Sequence, residues 1–123
     1  MAVIDSNVLV SILNGHKDSV NLLKKILSGE RVVISIITLT EVYTHVHGKE
    51  RPCLKKALED LDIIPFDAPE IAETAAKFRS DYGLKTPDAI IAATCEFHGY
   101  TFYTYDHDFE KLHLPWVKIL DYR

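Results

Sequence analysis

Cysteine is nearly missing from this chain: two occur in 123 residues, Cys53 and Cys95. They are far apart and form no C-x-x-C pair, which argues against a disulfide framework or a cysteine zinc site and fits a reduced, cytoplasmic protein. No basic stretch followed by an apolar run and a small-residue cleavage site opens the sequence, so secretion is not signalled. No hydrophobic segment is long enough to span a bilayer. Internal repeats and low-complexity linkers are missing too. A positive excess is also lacking: the formal net charge is −4, which excludes binding of nucleic acid by bulk electrostatics alone but leaves local recognition open.

What is present suffices for one domain over residues 1–123, because 47% hydrophobic residues can bury a core without covalent staples. Short apolar runs alternate with segments of helical periodicity, the pattern of an α/β domain with a largely parallel sheet. Strands are expected at Ala2 to Ile4, Arg31 to Ser35, Ile63 to Phe66, Tyr100 to Thr104 and Trp116 to Leu120. The proline in the third suggests a sheet edge. Helices are expected after Asp5, with Val8, Leu9, Ile12 and Leu13 at helical spacing, and from Asp18 to Ser28, with Val20, Leu23, Ile26 and Leu27 on one face. Others should run from Ile36 to His47, Pro52 to Leu61, Ala68 to Tyr82 and Ala89 to His98. Thr86 suits the N-cap of the last and Pro87 its first helical position.

Four acids stand where apolar segments give way to loops or helix starts: Asp5, Glu41, Asp88 and Asp106. Alone, each has an ordinary role. Asp5 can cap a helix, Asp88 can sit against a helix dipole, Glu41 can be solvated on a helix, and Asp106 and Asp108 can form a turn. Together they point elsewhere. In an open parallel sheet, ligands gather beyond the carboxyl ends of the strands, and Asp5 and Asp106 follow the first and fourth strands. The start of the Asp88 helix should face the same edge. Charges gathered beside an apolar core need a counter-charge, and a divalent cation supplies one.

The ordered set Asp5-x-Asn7, Thr38-Leu39-Thr40-Glu41-Val42, Pro87-Asp88-Ala89-Ile90-Ile91-Ala92-Ala93-Thr94 and Thr104-x-Asp106-x-Asp108-Phe109 resembles a PIN domain, most closely the VapC-type ribonuclease toxins of toxin–antitoxin pairs. The resemblance covers essentially the whole chain. It implies a three-layer α/β/α fold around a mainly parallel sheet of about five strands. It also implies a metal-dependent endoribonuclease with Asp5, Glu41, Asp88 and Asp106 as the acidic site, and Asn7 and Thr104 as supporting polar groups. Asp108 lies in the same motif as Asp106, so either can face the metal. Further implications are a VapB-type antitoxin as partner and a homodimer, with the Leu54 to Leu61 helix or the surroundings of Tyr43 as interface material.

Oxygen-only ligands suit Mg²⁺ or Mn²⁺, whereas zinc recruits His or Cys. His45 and His47, two apart on a helix, do not share a face. Charged helix faces account for Lys24, Lys25, Lys49, Arg51, Lys55, Lys56 and Lys85 as readily as phosphate contacts do. His107 reads as a surface residue, and core packing is the expected role of Phe97, Tyr100, Phe102, Tyr103 and Phe109. Competing readings are a receiver- or phosphatase-type phosphoryl-transfer domain, a stand-alone PIN nuclease of RNA processing or decay, and a PIN-like module that binds RNA or protein without cutting. The late position of Asp106-x-Asp108 disfavours the phosphatase, which would carry its acid pair after the first strand.

Overall fold

Strand β1 (Ala2–Ile4) is buried along its whole length, as a short apolar strand covered on both faces must be. The computed structural model describes residues 1–46, 48, 52, 55, 56, 58, 59 and 61–121. Around β1 lie β2 (Val32–Ile34), β3 (Asp62–Ile63), β4 (Thr101–Thr104) and β5 (Val117–Ile119). They form one sheet in the order β3-β2-β1-β4-β5, and every neighbouring pair is parallel. In register, Val3 faces Val33 on one side and Phe102 on the other.

Alternation along the strands sorts the core into two layers. Val3, Val33 and Phe102 pack with residues of α4 (Pro69–Tyr82) and α5 (Thr86–His98). Ala2, Ile4, Val32 and Ile34 pack on the opposite side with Val8 and Leu9 of α1 (Ser6–Leu13), Ile26 of α2 (Lys17–Leu27) and Val42 of α3 (Ile36–His45). The result is a three-layer α/β/α fold with an all-parallel five-stranded sheet. The chain begins in the middle of the sheet, builds outward through β2 to β3, then crosses back to lay β4 and β5 against the other side of β1. Connections therefore leave β1 and β4 in opposite directions, and the crevice beyond their carboxyl ends is the switch point of the sheet.

Several expectations shift. Lys85, not Thr86, is the N-cap of α5: its carbonyl accepts the first helical bond from the Ala89 N–H at 2.9 Å, and no side chain caps that end. Pro87 accordingly lies second in the helix. The turn after β4 becomes a 3₁₀ helix, His107–Leu112. Leu13 and Leu27, placed by spacing on the apolar faces of their helices, are 40% and 54% exposed and line an apolar cleft with Leu9, Leu23 and Leu58. Phe97 is exposed as well, while Phe102 and Phe109 are fully buried and meet edge to face with ring centroids 5.0 Å apart. The edge position of β3 agrees with the proline that follows it. His47, Cys53, Leu54 and parts of the helix expected over Pro52 to Leu61 lie outside the described residues. Among those described, no helix is long and apolar enough to cross a membrane.

Candidate functional site

Asp5 is the first residue beyond β1, and its side chain is buried. Its position follows from local geometry: the chain leaves the strand extended and enters α1, with Asp5 as N-cap accepting the Ser6 N–H at 2.8 Å. The capping role and the site role thus belong to the same carboxylate. The other oxygen, Oδ2, accepts the Thr104 hydroxyl at 2.6 Å and lies 3.4 Å from Asn7 Nδ2. That amide is also 3.4 Å from Thr104 Oγ1. These side-chain bonds add to the backbone ladder, in which the Asp5 N–H donates to the Tyr103 carbonyl at 2.9 Å, in fastening the end of β1 to the end of β4. Burial holds the Asp5 carboxyl above its ordinary range, the Thr104 and Ser6 bonds pull it back down, and the charges of Glu41 and Asp106 push it up again.

Glu41 is the sixth residue of α3, and it reaches the site because α3 packs against α1. Its carboxylate accepts a hydrogen bond from the Ser6 side chain. Ser6 thus serves two acids, Asp5 through its N–H and Glu41 through its hydroxyl. Burial and the charge of Asp88 raise Glu41, while Ser6 and the charge of His45 oppose the rise.

Asp88, in the first turn of α5, is half-buried. It is pushed up from 3.8 to about 6, first by burial, then by the charges of Asp5 and Asp106, with Lys85 opposing and Asp108 adding least. Asp106 is the second residue past β4, separated from it by Tyr105. It caps the 3₁₀ helix by accepting the Asp108 N–H at 2.9 Å, and its own N–H donates to Thr104 Oγ1 at 2.9 Å. Asp108 is exposed, at the rim. Asp106 is half-buried and acts on both Asp5 and Asp88.

The four expected acids are therefore linked through their charges across the switch-point crevice: Asp5 feels Glu41 and Asp106, Glu41 feels Asp88, and Asp88 feels Asp5 and Asp106. Among the described residues, no three carboxylate, imidazole or thiol groups stand together closely enough to hold a metal ion as they are. The donor set is nevertheless all oxygen, which matches a hard cation such as Mg²⁺ or Mn²⁺. The chemistry of the donors fits, and ligation needs side-chain adjustment inward. Cys95, whose thiol burial drives far up, takes no part.

The sequence alone assigned no role to Ser6 or Tyr105, and His45 was weighed only as a metal partner of His47. His45 had a legible signal, since it stands four residues after Glu41 on one helix face. Ser6 had none, because its role depends on how α1 meets α3. Tyr105, lodged between Thr104 and Asp106, donates its N–H to Asn7 Oδ1 at 3.2 Å.

Comparison with known proteins agrees with the fold. Among solved structures, the chain is similar to a toxin–antitoxin complex from Klebsiella pneumoniae, at 28% identity and a TM-score of 0.77 over 97% of this chain and 100% of that one. It is similar also to FitAcB from Neisseria gonorrhoeae, at 26% identity and a TM-score of 0.72 over 98% and 97%. VapBC2 from Rickettsia felis, bound to a promoter DNA fragment, shares the fold at 22% identity and a TM-score of 0.78 over 99% and 98%. Curated protein sequences give no significant match. The family profile described as "PIN domain" matches residues 2–113, and the chain belongs to that family.

Proposed function

We propose that this chain is a divalent-metal-dependent endoribonuclease and the toxin of a toxin–antitoxin pair, acting in the cytoplasm. The observation that carries the reading is the mutual electrostatic coupling of Asp5, Glu41, Asp88 and Asp106 at the sheet's switch point, in a chain of the PIN family. Asp5, Glu41, Asp88 and Asp106 would hold Mg²⁺ or Mn²⁺, with Asp108 at the rim. When bound, the ion supplies an activated water and neutralises charge on the phosphodiester.

The chain's own groups do the remainder. Ser6, Asn7 and Thr104 orient Asp5 through the bonds described above, so the most buried acid is fixed before any ligand arrives. The charge of Lys85, felt by Asp88, offers a phosphate contact at the mouth of an otherwise acidic crevice. No side chain need act as nucleophile and the RNA 2′-hydroxyl is not used, so the expected products carry a 5′-phosphate and a 3′-hydroxyl. Likeness to the Klebsiella toxin–antitoxin complex supports an antitoxin of VapB type whose peptide covers the acidic groove, and the same reading includes a homodimer.

Defined single-stranded and hairpin RNAs, incubated with the purified chain and Mn²⁺, Mg²⁺ or a chelator, test the activity. Cleavage should require the metal and should fall at least a hundredfold in Asp88→Asn, the scale for loss of one electrostatic group from an active site. Metal-independent RNA binding without cleavage, unchanged in Asp5→Asn, would put a non-cutting binding module in its place.

A further inference from the structure

The segment that carries Asp106 is fastened to the molecule at a point outside the acidic crevice. The Tyr105 hydroxyl reaches α2, where its oxygen lies 2.5 Å from Ser19 Oγ, and Ser19 is completely buried. Ser19 Oγ is in turn 3.1 Å from His16 Nδ1. His16 is the N-cap of α2, and the same Nδ1 accepts the Ser19 N–H at 3.4 Å. A nitrogen that accepts an N–H carries a lone pair, so the Ser19 hydroxyl must donate to it, leaving Ser19 Oγ to accept from the Tyr105 hydroxyl. The chain of donors runs Tyr105 to Ser19 to His16.

On its backbone side, Tyr105 donates to Asn7, and Asn7 is in contact with Asp5 and Thr104. Tyr105 thereby joins three parts of the chain: α1 through Asn7, α2 through Ser19, and β4, which it directly follows. The Asp106 carboxylate makes its hydrogen bond to the backbone of its own turn, at Asp108. Its place opposite Asp5 and Asp88 therefore depends on where that turn is held.

We infer that Tyr105 is a positioning residue for Asp106, its hydroxyl locking the turn after β4 onto α2 through Ser19 and His16. The inference rests on the reading of Asp106 as a member of the working site. Its structural half is measurable without metal or RNA. In Tyr105→Phe and in Ser19→Ala, amide hydrogen exchange at Tyr105 and Asp106 should rise about tenfold, the effect of losing one hydrogen bond, while amides within α4 keep their protection. Its functional half is a split in kinetic constants. In Tyr105→Phe, kcat for RNA cleavage should fall about tenfold with KM little changed, because a misplaced group weakens the transition state more than substrate binding. In an Asp106→Asn background the same substitution should cost nothing further, since coupled residues are not additive.

Unchanged exchange in both variants would overturn the inference, and so would a full tenfold loss added on top of Asp106→Asn. An unaltered chain that cuts no RNA while both variants loosen the turn would defeat the nuclease reading and leave the tether standing. Ser19→Ala, which removes one oxygen from a buried site, keeps the test decisive if Tyr105→Phe fails to fold.

Discussion

Asp88 holds its proton to about pH 6, against 3.8 for an ordinary aspartate, because burial and the charges of Asp5 and Asp106 disfavour its carboxylate. Linkage fixes the consequence. Between those two values the folded chain keeps a proton that the unfolded chain has lost, so stability of the metal-free protein falls as pH rises through the window and levels above it. A shift of this size corresponds to about 3 kcal/mol at most, and solvent screening at a half-buried group reduces it to about 1 kcal/mol. Denaturant unfolding in chelator at pH 4.5 and pH 7.5 should show the wild type weaker at the higher pH. Asp88→Asn should shrink that difference, leaving what Asp5 and Glu41 contribute in the same direction. An equal difference in wild type and variant would mean that Asp88 does not carry this strain. Individual acids were legible in the sequence as residues in unusual places. Their mutual raising was not, because it arises from burial and charges that only the folded chain brings within range.

Among the elements, the 3₁₀ helix His107–Leu112 is what keeps Asp106 and Asp108 at the crevice. It is pinned by Phe109, fully buried and packed edge to face on Phe102 of β4. Phe109→Ala should destabilise the protein by about 3–5 kcal/mol, as for other buried aromatic truncations, and the loss should appear in the midpoint of denaturant unfolding. A cost under about 1 kcal/mol would show that the segment is held some other way.

The strands were readable at this scale because β-branched apolar runs bounded by turn residues have few alternatives. The ends of α4 and α5 were readable as well: Gly83 and Gly99 take up left-handed φ of 70° and 73°, a conformation that glycine alone adopts without strain. The start of α5 was misplaced by one residue. Thr86 has the right side chain for a cap, yet the first helical bond goes to the carbonyl of Lys85, and helix starts near proline are set by backbone geometry more than by residue type. The turn after β4 was read as acidic but not as helical, since six residues of mixed polarity show no periodicity from which a 3₁₀ helix can be told.

For the whole molecule, the order β3-β2-β1-β4-β5 is the decisive fact. It makes β1 and β4 neighbours although about a hundred residues separate them, and it opens between their ends the crevice into which Asp5 and Asp106 project their charge. Local signals give the elements, and right-handed crossovers limit the possible orders, but the pairing of β1 with β4 was not legible, because no periodicity marks which distant strands become neighbours. The net charge of −4 acquires a place in this arrangement: several of the acids share one edge of the sheet. A bound divalent cation would relieve that repulsion, and a ligand present at a hundred times its dissociation constant stabilises the folded state by about 2.7 kcal/mol.

Titration of the metal-free protein with Mn²⁺ at pH 7.5, followed by calorimetry in parallel with Glu41→Gln and Asp88→Asn, tests the account most directly. Four acids acting as one site predict saturable binding in the wild type, weakened at least tenfold by either substitution although the two residues lie on different helices. Binding that is missing from the wild type, or that survives both substitutions undiminished, would contradict it.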